Sequence, residues 1–222
     1  MKKSVIIVAG GVGSRMNAGI PKQFLLLGGK PMLMHSIIAF NEAYPEISII
    51  LALPPGQITA WEQLCEKHSF HSDHRVVAGG ETRFHSVRNA LACVHHDGLV
   101  AIHDGARPLI SVSLIRTTFM TAGHLGNCIP VIPLNESVRC LTGDTNSAAD
   151  RNELRIVQTP QVFRAATLRK AYDQEFRENF TDDATVAENI GEIIHLAEGD
   201  PVNMKVTHPY DLAVAEMLLN SR

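Results

Sequence analysis

"SVIIVAGGVGSRMNAGIPKQF", residues 4–24, is the stretch on which the reading of this chain turns. Its opening, "SVIIVAG" (4–10), is a short β-branched run that predicts a first buried strand. Directly after it come Gly10, Gly11 and Gly13, then Arg15 and Lys22. Glycines at a strand end let backbone N–H groups approach phosphate oxygens. Arg15 adds a planar, permanently charged fork, and Lys22 a compact charge whose approach Pro21 restricts. The loop therefore reads as a grip on phosphate rather than a solvated turn.

Two better-known glycine loops do not fit. A dinucleotide site wants a third small residue and an acid about 20 positions later. Here Gly11-Val12-Gly13 is followed by Ser14, Arg15 and Met16, and the next strand ends "LALPPG" without an acid. There is no G-K-[ST], so a nucleoside-triphosphatase loop is excluded as well.

Outward from the loop, strands alternate with helices. "ISIILALP" (47–54), "HRVVAGG" (74–80), "GLVAIHDG" (98–105) and "NCIPVIP" (127–133) read as strands. "MLMHSIIAFNEAY", "ITAWEQLCEKH", "FHSVRNALACV" and "SLIRTTFMTAG" carry helical spacing between them. The pattern predicts an α/β fold with a mostly parallel sheet flanked by helices, its ligand crevice beyond the carboxyl ends of the strands. Past residue 134, "SVRCL" and "ELRIVQ" flank a polar turn and read as a protruding hairpin, a β-arm at about 134–162. Two such strands are marginal alone, which predicts a homodimer through the arm, with an arm folded back on its own domain as the alternative. A helix is expected at about 165–179, another opened by Thr181-Asp182-Asp183, strands at "EIIHLAEG" and "NMKVT", and a last helix from Pro209. All 222 residues are expected to form one domain with this arm as an excursion.

Composition narrows the partners. A formal charge of −3 gives no general attraction to nucleic acid or anionic membranes, so phosphate binding must be local. The apolar run after Met1-Lys2-Lys3 is too short for a signal sequence, and none nears the roughly 18 residues of a membrane span. Cysteines at 65, 93, 128 and 140 form no C-x-x-C pair and suit a cytoplasmic, reduced setting. His68, His71 and His74 lie in a polar connection without a partner cysteine and read as surface histidines rather than a zinc site.

Two more strand ends carry chemistry. "AGGETRFHSV" (78–87) sets Gly80, Glu81, Arg83 and Ser86 at a turn whose backbone groups can read the edge of a base. "HDGARP" (103–108) places Asp104, a candidate ligand for Mg²⁺ bridging a triphosphate, beside Arg107.

Together, "AGGVGSRM…PKQF", "GGETRFHSV", "HDGARPL", "DRNEL", "QTPQVF" and "NMKVTHPYDLAVAE" resemble the 2-C-methyl-D-erythritol 4-phosphate cytidylyltransferases from about residue 4 to 219. The resemblance implies a Rossmann-like domain, an arm-linked dimer, CTP and a divalent cation, normally Mg²⁺. It implies that Arg15, Lys22 and Lys205 serve the reacting phosphates. Ala9, Gly10, Gly11, Gly13, Gly80, Glu81, Arg83 and Ser86 would face the nucleotide. Arg107, Ser137, Arg151, Thr159, Thr181 and Lys205 would hold the polyol phosphate, with Ser137 and Arg151 serving the partner's site. Asp104 would hold the metal. The sequence departs from the family where "NES" (135–137) replaces an Arg-Asp-Thr type run and Glu81 an aspartate.

The implied reaction is attack of a phosphate monoester oxygen on the α-phosphorus of CTP with loss of pyrophosphate. Ribitol 5-phosphate is the alternative acceptor. An NAD-dependent reductase and a catalytically silent nucleotide sensor are the readings from other classes.

Overall fold

A computed structural model describes residues 1–10 and 20–221. The expected alternation is present: β1 (Lys3–Val8), a small antiparallel pair β2 (Leu26–Leu27) and β3 (Lys30–Pro31), α1 (Met32–Ala43), β4 (Ser48–Leu53), α2 (Ile58–Lys67), β5 (Arg75–Ala78), α3 (Arg83–Leu91), β6 (Leu99–Asp104), α4 (Val112–Leu125) and β7 (Asn127–Pro133). Then follow β8 (Arg139–Thr142), β9 (Thr145–Ala148), β10 (Arg155–Val157), β11 (Gln161–Arg164), α5 (Ala165–Tyr172), α6 (Asp183–Glu188), β12 (Leu196–Glu198) and α7 (Pro209–Asn220).

β1 is the hub of an eight-stranded sheet. It pairs in parallel with β4 on one side and β6 on the other, and β4 carries β5. Beyond β6, β11 enters antiparallel between β6 and β7, while β10 pairs antiparallel and β12 parallel with β7. The side chains of β1 alternate between two cores, as a strand covered on both faces must. Val5 and Ile7 pack with Leu33, Phe40, Trp61 and Phe119 of α1, α2 and α4. Ile6 and Val8 pack with Phe84 and Val87 of α3 and Leu168 of α5. Each such fully buried side chain stabilises the fold by about 1.5–3 kcal/mol. A third, smaller cluster joins Leu27, Met32, Leu109 and Val206 to Ala215 of α7.

Polar residues start the helices that matter to the cleft. The Thr82 hydroxyl caps α3 by accepting the His85 N–H, and Asp182 caps α6 by accepting the Thr185 N–H at 2.9 Å.

Three expectations are corrected. "SVRCL" does not pair with "ELRIVQ". β8 instead folds directly onto β9 across Gly143-Asp144, with Gly143 at φ 57°. A two-residue turn between adjacent segments closes more readily than a long polar loop, and Gly143 supplies the required positive φ. The hairpin of the arm is thus 139–148, exposed throughout, whereas Arg155–Val157 and Gln161–Arg164 belong to the main sheet. The helix expected to reach 179 ends at Tyr172, because the chain turns to lay Phe176 and Phe180 against Phe84. "NMKVT" is not a strand. Its backbone bonds to loops instead: the Val206 N–H donates to Ala106 O, and Arg107 donates to Asn203 O.

Candidate active site

A cleft of about 240 Å³ opens beyond the carboxyl ends of β1, β5 and β6. This is where the order of the sheet switches, β1 having β4 on one side and β6 on the other. The end of β1 contributes Ala9 and Gly10 to its wall, and the segment past the glycine loop contributes Lys22. The turn after β5 brings Gly80, Glu81, Arg83 and Ser86, the end of β6 brings Asp104, and the segment before α7 brings Lys205. Nine residues singled out from sequence thus meet in one place. Gly11, Gly13 and Arg15 lie outside the described residues.

Asp104 is the electrostatic centre. Its Oδ2 lies 2.8 Å from Lys205 Nζ and 3.8 Å from Arg107 Nε, and its Oδ1 lies 3.4 Å from Arg83 Nε. Burial alone raises the Asp104 carboxyl, but Arg83, Lys205 and Arg107 more than reverse this and hold it well below the usual carboxylate range. Arg83 is anchored from behind. Its Nη1 and Nη2 donate to both carboxylate oxygens of Asp183 at 3.0 and 2.6 Å, and the Tyr172 hydroxyl donates to Asp183 at 2.6 Å. Burial opposes charge on Arg83, yet Asp183 and Asp104 keep its guanidinium protonated.

The turn after β5 is built to stay closed. Gly80 N–H donates to Ser86 Oγ at 3.1 Å, and that hydroxyl donates to Thr82 O at 3.0 Å. A Cβ on Gly80 would run into His85, so the tight approach requires glycine. Lys22 Nζ donates to Val206 O at 3.2 Å, which joins the two lysine-bearing segments across the cleft mouth.

The remaining candidates are placed differently. Arg107 is buried and does not line the cleft; it donates to Asn203 O at 2.8 Å and Val157 O at 3.3 Å. Thr159 is buried behind Asp104, whose backbone N–H donates to its hydroxyl at 3.1 Å. Ser137, Arg151 and Thr181 are exposed and not part of the cleft wall, and Arg151 donates to Asn135 O at 2.7 Å. His74 accepts from Trp61 Nε1 at 2.9 Å. All four cysteines are free.

Sequence reasoning missed Asp183, Tyr172, Gln23 and His103. Gln23 is buried and donates to Ala9 O at 2.7 Å, tying the base of the glycine loop to the segment carrying Lys22. Its position in "PKQF", amid residues assigned to phosphate and core, was the available signal. His103 precedes Asp104, is fully buried, and burial lowers its pKa to about 4, so the ring is neutral.

Among the described residues no three His, Cys, Asp or Glu side chains converge to cage a metal. Asp104 nevertheless offers one ionised oxygen donor at the cleft wall. That fits Mg²⁺, which takes one or two carboxylates and completes its octahedron with phosphate oxygens and water.

A charge-lined, strand-end cleft at the switch point of a doubly wound sheet suits a phosphorylated ligand, as the nucleotidyltransferase class requires. Comparison with known proteins sharpens this. The family model for 2-C-methyl-D-erythritol 4-phosphate cytidylyltransferase matches residues 4–221, and the chain belongs to that family. A 2-C-methyl-D-erythritol 4-phosphate cytidylyltransferase of Bacteroides thetaiotaomicron is 50% identical over 219 residues, 99% of this chain and 100% of the relative. One from Geobacillus kaustophilus is 36% identical, covering 100% and 99%. The crystal structure of the enzyme from Thermus thermophilus matches with a TM-score of 0.80 at 32% identity, covering 99% of this chain and 100% of that one. The ribitol-phosphate alternative is not favoured by these matches.

Proposed function

We propose that this chain transfers the cytidylyl group of CTP to 2-C-methyl-D-erythritol 4-phosphate, forming CDP-methylerythritol and pyrophosphate. The observation that carries the reading is the ion-pairing of Lys205 and Arg83 with Asp104 in a cleft that Lys22 also lines, at the sheet's switch point, in a chain of this family.

The acceptor is a phosphate monoester, already largely dianionic near pH 7, so no general base is required. What the protein must supply is alignment and neutralisation of charge around the α-phosphorus. Lys22 and Lys205 both line the cleft and are poised for this. The closed turn at Gly80–Ser86 would present backbone groups to the cytosine edge, and the family resemblance assigns Arg15 to the reacting phosphates as well. Asp104 would hold a divalent cation, which supplies further charge neutralisation on the triphosphate. An arriving phosphate draws Lys205 off Asp104, since a multiply charged anion attracts an ammonium more strongly than a single carboxylate does.

The exposed hairpin carries Leu141 at 81% exposure, and Ile156 and Val157 of β10 are also exposed. In a homodimer through the arm, Ser137 and Arg151 would serve the partner's cleft rather than this one. Thr181 would reach the acceptor from the start of α6. No described helix is long and apolar enough to cross a membrane. The four free cysteines support a cytoplasmic setting.

The test is pyrophosphate release from CTP with each polyol phosphate in turn, with Mg²⁺ or with EDTA. Turnover of methylerythritol phosphate that EDTA abolishes is expected. Preferred turnover of ribitol 5-phosphate would overturn the acceptor, and full activity in EDTA the metal.

A further inference from the structure

The segment that delivers Lys205 to the cleft has no ladder of its own. β12 ends at Glu198 and α7 begins at Pro209, and the residues between them lie in neither strand nor helix. The Gly199 N–H still donates to Val131 O at 2.8 Å, but past that point the backbone needs other partners. Gln158 supplies them. Its side chain is buried, its Nε2 donates to Asp200 O at 2.8 Å and to Asn203 O at 3.4 Å, and its Oε1 accepts the Asp200 N–H at 3.1 Å. One amide thus meets a donor and an acceptor of the same residue, as a neighbouring strand would. Its orientation follows from chemistry, since a flipped amide would set its NH2 against an N–H and its oxygen against carbonyls. A Cβ on Gly199 would stand 2.6 Å from Gln158 Oε1, so glycine lets the amide come this close. Asn203, also buried, closes the clamp by donating from Nδ2 to Thr159 O at 2.8 Å, back to the chain beside Gln158.

We infer that Gln158 is a positioning residue for Lys205, acting by fixing the turn at 199–203 from which that lysine reaches Asp104. Gln158 itself does not line the cleft. Lys205 Nζ stands 2.8 Å from Asp104 Oδ2 on a flexible side chain that is 46% exposed, so the placement of its backbone decides where the ammonium can reach. The next residue, Val206, donates its N–H to Ala106 O at 2.8 Å and accepts Lys22 Nζ at 3.2 Å. A slip of the turn therefore disturbs the contacts of both lysines. The inference rests on the role proposed above for Lys205.

Steady-state kinetics of Gln158→Met with CTP and methylerythritol phosphate, alone and in a Lys205→Ala background, test it. Methionine keeps the length of the side chain and removes all three hydrogen bonds. In the otherwise unmodified enzyme kcat should fall at least about tenfold with KM for CTP within about twofold, the pattern of a misaligned group that acts in the transition state. In the Lys205→Ala background the same change should cost less than about twofold, because the residue it positions is gone. An equal loss in both backgrounds, or an undiminished kcat in Gln158→Met, would overturn the inference. Hydrogen exchange of the Gln158 side-chain amide, followed by NMR in the unmodified protein, reads the clamp whether or not the variants fold. That NH2 should exchange at least about a hundredfold more slowly than an exposed glutamine's, and exchange at the exposed rate would overturn the clamp. If the unmodified enzyme turned over no methylerythritol phosphate, the proposed function would fail while the exchange rate still decided the clamp.

Discussion

Arg83 and Asp183 meet end-on, two guanidinium nitrogens on two carboxylate oxygens, with Asp183 fully buried and Arg83 reaching forward to Asp104. Residues 100 positions apart in sequence thereby set the orientation of the cleft's central carboxylate. The fork geometry is specific to arginine and explains why lysine would not substitute here. Asp183→Asn leaves the half-buried Arg83 guanidinium facing a neutral amide. A loss of about 3 kcal/mol in unfolding free energy is expected by urea denaturation, the scale of breaking one partner of a buried pair. Activity should fall with it, since Arg83 no longer aligns Asp104. Unchanged stability would mean the pair contributes nothing.

Lys22 is tethered through Val206 O to the segment that carries Lys205. Lys22→Ala should lower kcat at least about 100-fold, the scale of losing one transition-state charge stabiliser. A raised KM with kcat nearly intact would make Lys22 a binding residue only.

His103 makes the apo protein acid-sensitive. An unfolded histidine titrates near 6.5, whereas burial, opposed in part by Asp104 and by the hydrogen bond to the Arg107 carbonyl, lowers the pKa of His103 to about 4. Between those values the unfolded chain binds the extra proton, so stability rises with pH across the window and is lost as pH falls through it. From pH 7 to pH 5 this one group should remove about 2 kcal/mol. Asp104 is a carboxylate held low, so its contribution is present above the ordinary carboxylate range and disappears only in stronger acid. Urea titrations at pH 7 and 5 in metal-free buffer should show a smaller pH-dependent loss for His103→Gln than for the unmodified chain. Equal losses would place the sensitivity elsewhere.

Leu141 stands exposed on β8, where an isolated two-stranded hairpin gains little from its own fold. Under the proposed arm-linked dimer, Leu141→Asp should weaken association at least about tenfold in Kd, since a charge would have to be buried in place of an apolar side chain. Light scattering across a dilution series measures this. A variant as dimeric as its parent would remove the hairpin from the interface.

Much of this architecture was legible in the chain itself. The apolar β-branched runs of β1, β4 and β6 and the helical spacing between them follow from local patterning, which needs no knowledge of partners. The glycine-rich, charged strand ends were legible for the same reason: a parallel sheet sends all those ends to one edge, so motifs far apart in sequence converge without further information. Local pattern failed where pairing depends on competition between distant partners. β10 has the composition of a hairpin strand but goes to β7, because β9 lies closer to β8 across a glycine turn. "NMKVT" alternates like a strand, yet Arg107 and Ala106 claim its backbone groups. Asp183 looked like one of several acids opening a helix, and His103 like one of eleven histidines. Their importance lies in burial and in which neighbour each hydrogen bond finds. Those are properties of distance in three dimensions, and side-chain chemistry can state what a group needs but not what stands next to it.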